Sequence, residues 1–407
     1  MILLSSANAF GQPTSSGVKI VSFAAKHGYV IGTDDTELIA TIQNSGPQPL
    51  SPNTIIARLY NLTGLDYSHG DTGPDLPALA PNQTVTFHYW VQPNGARSPL
   101  VTSLNLIQNG APIQTRVLVL QHLSAAPPAL PTTVPPKPLV RISHRTAYLE
   151  NNRIGAVIFH TSSDVAGLSL CANANGAWRL VGTSIPLGRV LSGGVGARSW
   201  WDDFNLKRIM PFHDNKTVGL VLNGMMGLRW TADLTLTLTA GSSVISVKLI
   251  LSPLEDMALE KVELLPLLAG DRSYGSTVSE LVPPQALSDG LLMACRWRDI
   301  TSGIIWRLPV IDSSSQSIRP SWQISLIPSP VGTDFNRLAA IATTSEDPVV
   351  INRGDPVTVS TRLFALTNAK NARSALSAFI GNPQNENTKS NKDSGSVPLQ
   401  ANPLRIK

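Results

Sequence analysis

Apolar and polar side chains alternate with a period of two over much of the chain, the pattern of strands with one buried and one solvent-facing side. The clearest run is 233–239, in which Leu234, Leu236 and Leu238 alternate with threonines. A second run at 244–250 follows across a four-residue turn, so the pair predicts a β-hairpin. Comparable runs predict strands at 154–160, 177–182, 218–222, 291–298, 304–310, 322–327 and 357–366.

The first part of the chain has shorter and more regularly spaced runs. They lie at 37–43, 54–60, 84–91, 100–107 and 115–120. Turn residues such as Asn44-Ser45-Gly46-Pro47 and Asn109-Gly110 separate them. About seven short strands in roughly 100 residues are typical of an immunoglobulin-like sandwich. The sequence therefore predicts an all-β protein that begins with such a sandwich at 18–123.

A proline-rich segment at 124–138 divides the chain. It contains six prolines and predicts an extended, semi-rigid spacer. A larger β-sandwich domain is expected at 139–381. Near its end, Ala372, Ala375, Leu376 and Phe379 have helical spacing and predict a short C-terminal helix. Residues 382–407 are polar and are expected to be a disordered tail.

The N-terminus resembles the end of an export signal. Ile2-Leu3-Leu4 is apolar, and Ala7-Asn8-Ala9 has the small-x-small form of a cleavage site. Residues 1–17 are therefore interpreted as a partial signal peptide whose start lies upstream, and an accidental likeness is the alternative. Because no apolar run reaches 18 residues, no transmembrane helix is predicted. A secreted or cell-surface location follows from this interpretation.

Composition and charge restrict the classes of function. Only 14% of the residues are charged, and the net charge of +5 is not concentrated in any basic run. Nucleic-acid binding is therefore not expected. The chain has two cysteines, Cys171 and Cys295, which match no metal spacing. Two alternatives stay open for them: a pair of buried thiols, or one disulfide in an exported protein.

The first sandwich resembles a known bacterial family. The string Leu38-Ile39-Ala40-Thr41-Ile42-Gln43-Asn44-Ser45-Gly46 is similar to the "strand, then Asn-x-Gly" signature of CARDB-like domains. The strings at 56–60 and 79–87 resemble the next elements of that family. These domains are immunoglobulin-like modules associated with cell adhesion. The resemblance covers about 18–123, implies a spacer or adhesion module and brings no active site.

The larger domain resembles the super-sandwich of galactose-mutarotase-like proteins. The strings at 152–159, 176–180 and 265–270 carry this likeness, which concerns the fold alone. Such domains are catalytic in some carbohydrate enzymes and non-catalytic in others.

The most informative chemistry lies in 188–216, which we interpret as a long loop on a β scaffold. A glycine-rich stretch there precedes Trp200-Trp201-Asp202-Asp203. Indole rings stack on sugars, and carboxylates accept hydrogen bonds from hydroxyl groups, so these four residues are a candidate saccharide site. The alternative is that one tryptophan fills the core and the acids cap a turn.

No catalytic site is evident in the sequence. Adjacent aspartates on a strand point to opposite faces, so a glycosidase pair would need a partner such as Glu255, Glu260, Glu263 or Glu280. A mutarotase-like site would need His144, His160 or His213 beside a carboxylate. No metal, nucleophile or cofactor motif occurs.

We therefore expect an exported surface or extracellular binding or scaffolding protein whose partner is a polysaccharide or a cell-surface component. A carbohydrate-active enzyme, or its ancillary region, is the alternative.

Overall fold

The computed structural model describes residues 17–367, apart from 96–99, 132, 144–145, 162–164, 215, 271–279, 288–289, 298, 313–316, 319–321, 328 and 345–347, and it also describes residue 376. All regular elements named below are β-strands, which confirms the predicted all-β fold. The predicted C-terminal helix lies outside the described residues except for Leu376, which is 2% exposed. The signal-like segment 1–16 and the tail also lie outside them.

Residues 18–123 form the N-terminal sandwich, which has two antiparallel sheets. Its strands are β1 (Val18–Ala25), β2 (Val30–Ile31), β3 (Thr36–Asn44), β4 (Ile55–Thr63), β5 (Leu65–His69), β6 (Thr84–Pro93), β7 (Leu100–Gln108), β8 (Ala111–Leu120) and β9 (His122–Leu123). One sheet has the order β1-β3-β6-β5 and the other has the order β4-β7-β8. Apart from the short parallel pair β2-β9, this is the ABED and CFG topology of an immunoglobulin domain.

Residues 139–367 form the second sandwich. Its first strands are β10 (Leu139–Ser143), β11 (Thr146–Glu150), β12 (Ile154–His160), β13 (Ala166–Ala174), β14 (Ala177–Ser184), β15 (Gly188–Gly194), β16 (Trp200–His213), β17 (Thr217–Met226), β18 (Trp230–Thr239), β19 (Val244–Pro253), β20 (Met257–Leu264) and β21 (Leu267–Ala269). The others are β22 (Glu280–Leu287), β23 (Gly290–Trp297), β24 (Ile300–Arg307), β25 (Val310–Asp312), β26 (Ser317–Ile318), β27 (Trp322–Leu326), β28 (Asn336–Leu338), β29 (Ala340–Thr344), β30 (Val349–Ile351) and β31 (Val357–Leu366).

Two large sheets face each other in the second sandwich. The smaller has the order β10-β11-β12-β13-β14-β21-β28, and the larger has fifteen strands whose central part is β31-β19-β18-β17-β16-β15-β20. The alternating leucines Leu234, Leu236 and Leu238 are 0% exposed and belong to one core cluster with Leu168 and Leu170 of the smaller sheet. Every second side chain of these strands is therefore buried between the two sheets, as the sequence predicts.

The proline-rich segment packs against the second sandwich. Leu130 is 6% exposed and forms a small buried cluster with Val157 and Cys171. A Cβ at Gly155 would lie 2.4 Å from Cδ1 of Leu130, so the leucine lies directly over this glycine. The predicted semi-rigid spacer is therefore attached to the second sandwich at this residue, because Leu130 is an apolar side chain that packs into a complementary site.

The two sandwiches contact each other directly. A buried apolar cluster joins residues of both, namely Tyr29, Leu123, Phe159, Val165, Ile185, Leu268 and Phe335. Beside it, Nδ1 of His27 lies 2.9 Å from Oδ2 of Asp334. The backbone N–H of Asp334 donates to the carbonyl of Lys26 at 2.9 Å. The spacer predicted at 124–138 therefore does not keep the two sandwiches apart.

The described part of the chain has no helix long and apolar enough to cross a membrane.

Candidate functional site

The tryptophan–aspartate segment is a strand and not a loop. It begins β16, which pairs antiparallel with β15 and β17. The glycine-rich stretch ends β15 and forms the turn, in which Gly196 has a φ of +77°. The interpretation of 188–216 as one long loop is therefore wrong. The glycines indicate only the turn before Trp200. The residues from Trp200 onward form a strand, in which successive side chains alternate between two faces.

This strand geometry divides the four candidate residues between two faces. Trp200 and Asp202 lie opposite Ser192 and Val190 of β15, and they share a face with the core residue Phe204. Trp201 and Asp203 lie on the other face, opposite Leu191 and Arg189. The structure therefore does not bring the four side chains together in one saccharide site.

Trp200 and Asp202 lie where several turns of the second sandwich meet, which we call the turn end. It comprises the turns 194–199, 227–229, 254–256 and 352–355. The backbone N–H of Leu254 donates to the carbonyl of Arg229, and that of Gly354 donates to the carbonyl of Pro253. The N–H of Arg353 donates to Asp256 Oδ1 at 2.8 Å. The strands position these turns, so the turn end is a surface presented by a rigid scaffold.

Two residues outside the four predicted for a saccharide site complete the turn end. The guanidinium carbon of Arg229 lies 4.3 Å from the ring centroid of Trp200. Nε of Arg229 lies 3.0 Å from Oε1 of Glu255, whose side chain is 57% exposed. The sequence suggests Glu255 only as one of four acids that could complete a glycosidase pair, and it gives no signal for Arg229 apart from its place after Gly227.

The carboxyl group of Asp202 lies directly against Gly227. A Cβ at Gly227 would lie 2.5 Å from Cγ of Asp202, and Gly227 has a φ of +57°. Only glycine therefore fits here without displacing the carboxyl group. Burial raises the pKa of Asp202 to about 6, and the nearby Asp203 also raises it. A hydrogen bond from Trp200 and the charge of Arg229 lower this pKa but do not cancel the effect of burial.

Two polar atoms of the turn end are buried and have no hydrogen-bond partner among the described residues. They are Oδ2 of Asp202 and Nη1 of Arg229. Buried polar groups are normally paired, so such atoms indicate capacity for a further partner.

Exposed apolar side chains surround these groups. Leu228 is 83% exposed, Val195 is 59% exposed and Leu254 is 45% exposed. Apolar side chains grouped at loop tips are typical of an interaction surface.

The opposite face of β16 contacts the N-terminal sandwich. The guanidinium carbon of Arg189 lies 4.6 Å from the ring centroid of Trp201, and Nε of this arginine pairs with Glu263. Asp203 accepts a side-chain hydrogen bond from Gln121, which follows β8 of the N-terminal sandwich. Asp203 therefore belongs to a contact between the two sandwiches, and Trp201 lies on the same face of β16.

Burial changes the ionisation of this contact. It raises the pKa of Asp203, although the charge of Arg189 lowers it. It also lowers the pKa of Arg337, which is electrostatically coupled to Glu263 and to Arg116 of β8. The glutamate is 1% exposed. The acids and arginines here neutralise each other in a mostly buried cluster.

A mutarotase-like site requires a histidine and a carboxylate that line a common cavity. His27 and Asp334 line a cavity of about 20 Å³, which has room for about one water molecule. His160 ends β12 and His213 ends β16, whereas His144 lies outside the described residues.

The cysteines do not form a disulfide with each other. Cys171 is buried with Leu130 and Val157, and Cys295 belongs to the main core of the second sandwich. Burial raises the pKa of Cys295 to about 12, which makes this thiol unreactive. The disulfide alternative is therefore wrong, because the two thiols occupy separate clusters.

No group of three or more His, Cys, Asp or Glu side chains is placed to hold a metal ion in the described ranges.

Comparison with known proteins adds no identity: no protein-family model matches the chain, and no curated protein matches it. The CARDB-like and mutarotase-like resemblances stay predictions from the sequence.

Proposed function

We propose that this protein is an exported bacterial surface or extracellular binding protein whose turn end binds a saccharide through Trp200, Asp202, Arg229 and Glu255. The observation that carries the proposal is the pair of unsatisfied polar atoms, Oδ2 of Asp202 and Nη1 of Arg229, next to an indole ring. An acceptor, a donor and an aromatic face are the three elements that a sugar ring uses.

Arg229 occupies the place over Trp200 that a sugar ring would take. Its ion pair with Glu255 is solvent-exposed, and such pairs contribute at most about 1 kcal/mol. The guanidinium can therefore move aside at low cost when a ligand stacks on the indole. This movement would uncover the carboxyl of Asp202 and leave Nη1 of Arg229 able to donate to a hydroxyl group.

The scaffolding part of the proposal is supported by the packing of the two sandwiches. The shared apolar cluster and the contact between Asp203 and Gln121 fix the N-terminal sandwich against the second one. Such a unit presents the turn end in a defined orientation.

A glycan array followed by titration of the best glycan tests the proposal. We expect Trp200→Ala to weaken binding at least about 30-fold, as for an aromatic residue at the centre of an interface. Trp201→Ala is the matched control: it should keep the affinity and lower the free energy of unfolding by about 2–3 kcal/mol. If no glycan binds, or if Trp200→Ala binds as tightly as the wild type, the proposal fails.

The carbohydrate-active enzyme is retained as a second candidate because of one observation. A carboxyl with a pKa of about 6 is suited to act as a general acid, and Glu255 supplies a second carboxyl at the turn end. Incubation with polysaccharides, followed by assay of reducing ends and unsaturated products, decides between the two. An enzyme would release products that Asp202→Asn no longer releases, whereas a binding protein would release none.

A further inference from the structure

A cavity lies in the N-terminal sandwich, and its lining includes no residue of the candidate site. It is an open trough of about 510 Å³ on the outer face of the sheet that contains β4 and β7. Its lining residues are Asn53, Thr54, Ile56, Arg58, Tyr60, Ile107, Gln108, Asn109 and Gly110. This volume is within the usual range for ligand sites.

The trough is built by the strand register and by two turns. Ile56, Arg58 and Tyr60 alternate with the buried side chains of β4, so all three face outward. Asn53 and Asn109 have φ values of +59° and +52°, which asparagine tolerates better than most residues. The backbone N–H of Asn53 also donates to the carbonyl of Leu76 at 2.9 Å. The backbone at the two asparagines, on the edges of the trough, is therefore defined by these turns.

The charge of the trough favours an anion. Its lining contains one cation, Arg58, and no carboxyl group. Arg58 forms no ion pair and no side-chain hydrogen bond with any residue in the described ranges, so its fork of N–H donors is available. A guanidinium binds a carboxylate through two parallel hydrogen bonds, which gives both strength and orientation.

The other residues that line the trough favour a sugar that bears the carboxylate. Tyr60 is 37% exposed and offers an aromatic face. The amides of Asn53, Gln108 and Asn109 can each donate to and accept from hydroxyl groups. The cross-strand neighbour of Arg58, Asn105, has a buried Oδ1 without a hydrogen-bond partner among the described residues.

We infer that this trough is a second binding site, specific for a uronate-bearing glycan, in which Arg58 pairs with the carboxylate and Tyr60 stacks on the sugar ring. This site is independent of the turn end, and an open trough fits a segment of a polymer. The protein would then contact an acidic polysaccharide through its immunoglobulin-like domain.

Titration calorimetry with the full chain tests the inference. The probes are oligomers of galacturonate, glucuronate and mannuronate, the same oligomers with carboxyls reduced to alcohols, and oligoglutamate. We expect at least one uronate oligomer to bind, and its reduced form and oligoglutamate to bind at least about 10-fold more weakly. If no uronate binds, or if oligoglutamate binds equally well, the inference is overturned.

Variants assign the binding to the trough. Arg58→Gln should weaken uronate binding at least about 10-fold, because it removes a charge-assisted hydrogen-bonding group. Lys19→Gln removes the same charge from an exposed position of β1 and should leave the affinity unchanged. Equal losses in both variants would indicate non-specific attraction and contradict the site. Trp200→Ala should bind uronate as the wild type does, and a loss in that variant alone would assign the glycan to the turn end.

Discussion

Each face of β16 presents one tryptophan and one aspartate, and an arginine and a glutamate from other segments join them on both faces. On one face, the Trp200 ring lies under Arg229, which pairs with Glu255, and Asp202 lies beside them. The other face repeats this arrangement with Trp201, Arg189, Glu263 and Asp203. The two arginine side chains are almost equally exposed, at 32% and 31%, whereas the glutamates are 57% and 1% exposed.

This difference shows that the types of residue in a cluster do not distinguish a binding surface from an internal contact. Tryptophans, aspartates and arginines are suited both to saccharides and to the charged part of an interface. What separates the two sets is whether another part of the chain covers them. Gln121 of the N-terminal sandwich reaches Asp203, whereas turns with exposed apolar tips surround Asp202.

The largest expected difference between the faces concerns their glutamates. Glu263→Gln removes the negative charge beside Arg189 and Arg337 in a mostly buried cluster. It should therefore lower the free energy of unfolding by about 2–3 kcal/mol. The matched change Glu255→Gln removes a solvent-exposed partner and should lower it by less than about 1 kcal/mol. Chemical denaturation of both variants measures the difference. Equal losses would show that the two ion pairs do not differ in environment.

A smaller effect is expected from the ionisation of Asp202. Its pKa of about 6 in the folded state is above the unfolded value of 3.8. The folded state therefore binds the proton more tightly, and this contribution to stability is lost as the pH rises from about 4 to above 6. Asp202→Asn should thus be more stable than the wild type at pH 7, on the order of 1 kcal/mol after allowing for partial exposure, and not at pH 4.

Thermal unfolding at both pH values measures this effect, and Glu255→Gln serves as the control for loss of a carboxyl at the turn end. A stability difference between Asp202→Asn and the wild type that does not change with pH would contradict the raised pKa.

Much of the fold could be predicted from the sequence because its signals are local. Alternation places Ile154–His160 and Val357–Leu366 at the bounds that the structure has, and the turn between β18 and β19 gives their pairing. Pairings between distant segments have no such signal. β15 pairs with β20, whose residues lie about 70 positions later, and nothing in either strand specifies the other.

The candidate site could be predicted only in part for the same reason. Trp200 and Asp202 are recognisable by residue type. Strand geometry also predicts that the side chains of adjacent residues point to opposite faces. The glycine-rich turn before Trp200 makes the segment resemble a loop, in which all four side chains could point to one site. Arg229 and Glu255 come from other turns, and the contact with Gln121 depends on the packing of the two sandwiches, which no local pattern encodes.

The central claim is that adjacent aspartates serve opposite faces, one toward the N-terminal sandwich and one toward the turn end. Two double-mutant cycles on unfolding free energy test it, one combining Gln121→Ala with Asp203→Asn and the other combining Gln121→Ala with Asp202→Asn. We expect a coupling of about 1 kcal/mol in the first cycle and a coupling within about 0.3 kcal/mol of zero in the second. A coupling confined to Asp202, or no coupling with either aspartate, would contradict the account.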